Sequence, residues 1–529
     1  LLLMAVVGSC VFHELEREAE LNRYELNRAI YGSLTDMVDF EHCHDPAFRD
    51  LGFCREHEEL EARLERFFNR AGNSLTDRRL WTHLGSFLFV VQLGSTVGYE
   101  APPQTAGGQL AAILFGVVFI PLFGCALILS SRSLLGGAEL VLQGCLGPPA
   151  GGDLDLERSR LLRLTLLLVA ALWPGMALVF MLLEGWSYAN ALFFCFVTMT
   201  TVGFGTDVPA SPVSKVLCVL YIYAALSLTT GILERMASLR RDEEESLLLP
   251  GRHLKRFSSP WLCMLAVAFL CLCGAFVFPA LERGEEVARY ARARTMYEDL
   301  NDLAHFGGCE EGGLIRTADF CKNAGLFKQE LARFFGPDTP NSMVDRENWT
   351  AFGAASFMLS LASTVGYASH SPHTRAGKIA MVLFGLVAIP LFLQQMLATA
   401  ALVSRSVERR LAQARGREAG EKPTLALTLL ILAIWLGGSL VFWALEAGSG
   451  WSFTTALYFC FVTLSGCGFS NVMPRSLAAK AFTQVYIVVG LGMVASLMSV
   501  LVEMMYESSV SADEPTLEPD SAAQKRSSY

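Results

Sequence analysis

The chain has 529 residues, of which 52% are hydrophobic and 18% charged, with a formal net charge of −9. Its apolar residues fall in long blocks rather than short periodic stripes, which excludes an ordinary soluble domain and indicates a membrane protein. Nothing in the pattern supports enzyme chemistry or a nucleic-acid partner. A hydrocarbon core of about 30 Å needs about 20 apolar residues of helix. Blocks at 106–131, 161–183, 214–237, 261–281, 374–403, 424–446 and 478–505 meet that length. The opening LLLMAVVGSCVF is too short, but "GSCVFHELE" at 8–16 echoes "GAFVFPALE" at 274–282, which closes a full block. It is therefore read as the truncated end of a first spanning helix, giving an all-α transmembrane protein with eight spans.

Two long acid-rich segments, 13–80 and 281–348, contrast with the basic segments 238–256 and 404–422, the latter carrying Arg405, Arg409, Arg410, Arg415, Arg417 and Lys422. Excess Lys and Arg marks cytoplasmic loops, so the acidic segments face outward. They are expected to form helical hairpins: Leu15, Ala19, Leu26 and Ile30 share one face, as do Leu60, Leu64, Phe67 and Phe68, echoed by Leu331, Phe334 and Phe335. Cys43 and Cys54 in the first segment and Cys309 and Cys321 in the second stand apart from the apolar spans. In an oxidising outer compartment, pairing within each segment is one of three connectivities. The His42-Cys43-His44 cluster with His57 leaves a zinc reading open, without a counterpart in the second segment.

The sequence repeats with an offset of 265 to 269 residues: "ERFFNRAGNSLTDRRLWTHLGSF" at 65–87 matches "ARFFGPDTPNSMVDRENWTAFGAA" at 332–355, and "ALFFCFVTMTTVGFG" at 191–205 matches "ALYFCFVTLSGCGFS" at 456–470. The repeat divides the chain into 1–250, with cap 13–80 and pore loops 81–100 and 187–206, and 251–506, with cap 281–348 and pore loops 349–369 and 452–471. An acidic, Ser-rich tail at 507–529 reads as a disordered cytoplasmic segment.

Each short apolar run of about 14 residues, 81–95, 187–200, 349–363 and 452–465, is too short to span and ends in a glycine phrase: TVGYEA, TVGFGT, TVGYAS and GCGFSN. Non-helical backbone at membrane depth survives only where protein or a wet cavity satisfies it. A dehydrated monovalent cation needs several oxygen ligands, and successive carbonyls point one way only if alternate residues adopt unusual dihedrals, which glycine permits. The expected ion-binding residues are Thr96, Val97, Gly98 and Tyr99; Thr201, Val202, Gly203, Phe204 and Gly205; Thr364, Val365, Gly366 and Tyr367; and Gly466, Cys467, Gly468 and Phe469. Glu100, Asp207 and His370 would line the outer mouth. The half-helices would direct the electronegative ends of their dipoles at the cavity.

The run "EGWSYANALFFCFVTMTTVGFGTDVP", the stretch "NWTAFGAASFMLSLASTVGYASHSPHTRAGKIAMVLFGLVAIPLFL", the filter pattern of Tyr then Phe, and the cysteine-bearing cap resemble two-pore-domain potassium channels. Members of that family are dimers of a four-helix, two-pore-loop subunit, and this chain resembles two such subunits fused in tandem. The resemblance implies a pseudo-fourfold filter holding only permeant potassium, an extracellular helical cap, gating at the filter and inner helices, and a leak conductance. A monomer that completes its own pore in the plasma membrane follows. Three departures bear on selectivity. The outer filter glycine survives only at Gly205, its counterparts being Glu100, Ala368 and Ser470, and a Cβ there is expected to strain a positive φ. Gly466 replaces threonine, removing one of four hydroxyls. Cys467 replaces valine.

A weakly selective cation channel, a four-repeat potassium and sodium uptake transporter, and a non-conducting regulatory relative are the alternatives. A voltage-gated channel is excluded, since no span carries Arg or Lys every third residue. Pro121 and Pro390 lie inside spans and are gating candidates, with Gly490 and Gly492 as hinge or packing residues. His83, His370 and His373 could confer sensitivity to external acid. Asn348 opens an N-glycosylation pattern, and the Arg-rich segment could meet anionic lipid headgroups.

Overall fold

In the computed structural model the described residues are 1–38, 81–98, 103–146, 154–205, 208–246, 260–306, 349–367, 371–415, 424–469 and 472–513. They form twelve α-helices and one short 3₁₀ turn, with no strand among them. The helices are α1 (Leu2–Val38), α2 (His83–Ser95), α3 (Ala106–Leu146), α4 (Leu154–Glu184), α5 (Tyr188–Met199), α6 (Pro212–Ser246), α7 (Pro260–Phe306), α8 (Ala351–Ala362), α9 (Arg375–Arg415), α10 (Thr424–Leu445), α11 (Phe453–Leu464) and α12 (Leu477–Asp513). Seven of them, α3, α4, α6, α7, α9, α10 and α12, are long and apolar enough to cross a membrane. The chain is a multi-pass membrane protein.

The four short helices α2, α5, α8 and α11 fall where the apolar runs end in glycine, and they are 12 or 13 residues long. At about 1.5 Å per residue, each covers about 20 Å, well short of the hydrocarbon core. The helix α1 carries the apolar opening into the charged segment without a break as far as Val38, and α7 does the same through Phe306. The remainder of both caps, including the Leu60 to Phe68 and Leu331 to Phe335 faces, lies outside the described residues.

The chain forms two compact units, one of Leu1–Arg252, Val267–Ile389 and Gly466–Met473, the other of His253–Ala266, Pro390–Ser465 and Pro474–Tyr529. These units cut across the sequence repeat, because the fourth glycine turn belongs with the first three. In the first unit α2 lies against α1, α3 and α6, and α5 packs on α4 and α6. The second unit gathers α10, α11 and α12. A small apolar cluster there is built on Leu427, Met493 and Val500, with Val403, Val407 and Ile434 against it.

Candidate functional site

Local chemistry sets the ends of the short helices. Thr82, Ser187, Thr350 and Ser452 each stand in extended conformation at the N-cap, and their hydroxyls accept from the amides of Gly85, Asn190, Gly353 and Thr455. Such caps satisfy donors that a helix start leaves orphaned, each contributing about 1 kcal/mol. At the other end the chain turns out of the helix into the glycine phrase. There Thr96, Thr201 and Thr364 hold φ of 58°, 59° and 58°, and Gly466 holds 75°. Two residues on, Gly98, Gly203, Gly366 and Gly468 are again left-handed, at 64°, 61°, 67° and 55°. The alternation expected for aligned carbonyls is therefore present in all four phrases. Three of its eight left-handed positions are threonines, at a strain of about 1–3 kcal/mol each.

Gly205 is not left-handed. Among the described residues, the left-handed strain outside glycine sits at the inner threonines. The counterparts of Gly205, residues 100, 368 and 470, lie outside the described residues, as do Tyr99, Asp207 and His370.

The four phrases meet in cyclic order. A Cβ built on Gly203 would overlap the carbonyl oxygen of Val97, one on Gly366 that of Val202, one on Gly468 that of Val365, and one on Gly98 that of Cys467. Turn two thus lies on turn one, three on two, four on three, and one on four, so the strands close a ring. Glycine at these four positions is required by space as well as by φ. Val97, Val202, Val365 and Cys467 are all buried, and the Cys467 thiol lies 3.5 Å from the carbonyl of Leu93 at the end of α2.

Aromatic rings hold the ring of turns from outside. Phe469 stacks on Phe89 of α2, and Phe204 on Phe357 of α8, both at 5.4 Å between centroids. Trp81 and Phe12 flank Phe89, and Trp349 and Phe278 flank Phe357 in the same way. Amides also hold the second and third turns: Gly203 N donates to Val197 O at 3.0 Å, and Tyr367 N to the Ser360 hydroxyl at 3.0 Å. Such packing and hydrogen bonding over-determine a strained backbone, which is how it persists.

Pro121 lies inside α3 and Pro390 inside α9, where the boundary between the compact units falls. Pro174 in α4 and Pro279 in α7 are further intrahelical prolines. A Cβ on Gly490 would overlap the Leu464 side chain, and one on Gly492 would come within 3.2 Å of Thr399. Both glycines occupy close helix contacts. Cys43, Cys54, Cys309 and Cys321 lie outside the described residues, along with His42, His44, His57 and Asn348. Among the described residues no cysteine is disulfide-bonded and no group of three or more metal-ligating side chains occurs. The His83 ring lies against that of His13, tilted, with centroids 4.2 Å apart, and His373 lies 2.9 Å from Arg289.

Sequence reasoning missed four glutamates. Glu16, Glu184, Glu282 and Glu446 follow a leucine where the apolar part of each outer helix ends, and their carboxylates accept from backbone amides ahead of the next long helix. The repeated Leu-Glu pair was the available signal. Glu446 lies one residue beyond the α10 span. Burial alone would raise its carboxyl, but hydrogen bonds from Ser449, Ser476 and the Arg475 amide hold it below the usual carboxylate range.

The sequence matches a family model described as "Ion channel" four times, over residues 67–133, 166–241, 327–405 and 429–507. Two matches fall in each half, each taking in one short helix, its glycine turn and the long helix after it. Among named proteins, it is 27% identical over 253 residues to potassium channel subfamily K member 13 of Mus musculus, a match covering 42% of this chain and 58% of that protein. It is 28% identical over 230 residues to potassium channel subfamily K member 16 of Homo sapiens, covering 42% of this chain and 70% of the relative. The TWiK family of potassium channels protein 7 of Caenorhabditis elegans is 25% identical over 270 residues, covering 42% and 47%. The chain thus spans 58% of the length of the mouse relative. Each relative pairs with less than half of this chain, as expected for a tandem arrangement, and the resemblance to two-pore-domain potassium channels is borne out.

Proposed function

The chain belongs to this ion-channel family, and on that premise we propose that its four glycine turns form one filter conducting monovalent cations, potassium above all, as a background leak. One observation carries the reading: the turns close head to tail, each glycine against the carbonyl of the preceding strand. With alternate residues left-handed, strands of this kind turn successive carbonyls to one side, and four such strands offer rings of oxygens that replace a hydration shell. The four short helices end at the turns, so their electronegative C-terminal ends favour a cation there. Since one polypeptide supplies every turn, the working unit is a single chain in the plasma membrane, its halves 1–250 and 251–506 acting as two fused subunits. The Arg-rich segment, with Arg405, Arg409 and Arg410 exposed along α9, would rest against anionic headgroups at about 1 kcal/mol per charge.

A second reading, a weakly selective cation channel, draws on Gly466. The innermost ring has three threonine hydroxyls and one gap, and the thiol of Cys467 stands where the other strands carry valine. Planar-bilayer reconstitution with potassium on one side and sodium on the other separates the readings. A tenfold permeability ratio displaces the reversal potential by about 59 mV. A displacement of that size supports the potassium leak, one near zero the weakly selective channel, and no current a non-conducting relative.

A further inference from the structure

The glutamates that close the apolar parts of the outer helices fall into two classes. In the second and fourth quarters the outer helix runs almost directly into the pore loop: Glu184 is three residues from the cap Ser187, and Glu446 six from Ser452. The covalent chain fixes the entry to the loop. The backbone amides that each glutamate binds then lie at the exit, Glu184 accepting from Ala210 N and Ser211 N at 3.1 Å, and Glu446 from Arg475 N and Ser476 N at 2.9 and 2.8 Å.

In the first and third quarters a cap segment separates the outer helix from the pore loop, so the covalent link is lost. Here a second glutamate stands one helical turn further on, on the same face. Glu16 accepts from Gln104 N and Thr105 N, both at 2.9 Å, and from the Thr105 hydroxyl at 2.6 Å. Glu20 accepts from Trp81 N at 3.0 Å, at the start of the same loop. Glu282 accepts from His373 N at 2.9 Å, Thr374 N at 3.0 Å and the Thr374 hydroxyl at 2.5 Å, and Glu286 from Trp349 N at 3.2 Å. Arg17 and Arg283 complete the pairs at 2.7 Å from Glu20 and Glu286.

A second observation is independent of these bonds. Gly108 and Gly377, at the third position of α3 and α9, leave no room for a Cβ, which would overlap a carboxylate oxygen of Glu16 or Glu282. The equivalent positions in the other two quarters are Ser214 and Ala479. The glycine seat against the carboxylate occurs in the two quarters where the clamp has two members.

We propose that the pairs Glu16 with Glu20 and Glu282 with Glu286 are positioning residues that grip the entry and exit of the first and third pore loops, replacing the short covalent link that the caps interrupt and fixing the height of those two filter strands. The proposal rests on the filter reading above for its electrical consequence, but not for its structural one. Carboxylates accepting several amide hydrogen bonds are strong ties, and a filter strand whose exit is untied can rotate its carbonyls.

The test compares wild type with Glu282→Gln, Gly377→Ala and the control Glu285→Gln, whose carboxylate lies in an exposed ion pair with Arg292. Two readouts are taken: bi-ionic reversal potential at matched surface amounts, and hydrogen exchange of the purified protein over residues 371–378. Glu282→Gln and Gly377→Ala are expected to lower the potassium-to-sodium permeability ratio at least fivefold and to accelerate exchange at least tenfold, with Glu285→Gln unchanged in both. Unaltered permeability ratios in both variants, with conducting protein, overturn the proposal. If the wild type carries no current, the filter reading has failed and exchange alone decides: accelerated exchange sustains the clamp, and unaltered exchange overturns it.

Discussion

Replacing Gly466 by threonine should raise the potassium selectivity of the pore. The residue has φ of 75°, close to the 58° to 59° at which Thr96, Thr201 and Thr364 already stand, and a Cβ built on it meets no heavy atom within 4 Å. The β-carbon therefore has room. The cost is conformational, about 1–2 kcal/mol for a β-carbon in the left-handed region, offset by about 0.4–1 kcal/mol from a less flexible unfolded chain. Restoring the fourth hydroxyl supplies one further oxygen ligand at the innermost ring. Taking about 1 kcal/mol for that ligand, the permeability ratio rises about fivefold and the bi-ionic reversal potential moves by about 40 mV toward the potassium potential. Gly466→Ser serves as an intermediate, with the hydroxyl and without β-branching. The assay is single-channel recording in bilayers with surface amount checked by biotinylation. An unchanged reversal potential in a well-expressed Gly466→Thr channel would refute the assignment of the inner ring.

Gly366→Ala should abolish current at normal surface amount, because its Cβ would overlap the Val202 carbonyl at a φ of 67°; wild-type current would remove the ring contact from the account. The Glu446 carboxyl has a folded pKa below its ordinary value of 4.5, so its contribution to stability is full above that value and is lost as pH falls through the lower folded one. The thermal midpoint in detergent should therefore decline below pH 4.5, and Glu446→Gln should flatten that decline; identical acid profiles would contradict it. Pro390→Ala restores an amide inside α9, removes a cause of helix bending and, on the proposed pore, is expected to alter open probability; an unchanged value ends the gating role.

The short helices were legible because composition and capping agree: 12 or 13 mainly apolar residues preceded by Thr82, Ser187, Thr350 or Ser452. The alternation of dihedrals was legible in principle, since a carbonyl column demands it, but that three of its eight left-handed positions are threonines, Thr96, Thr201 and Thr364, was not, because nothing local in the sequence favours that conformation for threonine. The cyclic order of turns was not legible at all, because sequence distance says nothing about which strand lies beside which. Glu16 and Glu282 were visible only as part of a repeated phrase. Their partners, Thr105 and Thr374, lie 89 and 92 residues away, beyond any local pattern.

Thallium soaked into crystals, or rubidium exchanged before diffraction, tests the central claim most directly through the position of the anomalous signal. The account predicts a short column of peaks enclosed by the carbonyls of Val97, Val202, Val365 and Cys467. Signal confined to the protein surface, or absent from the space those four strands enclose, would contradict it.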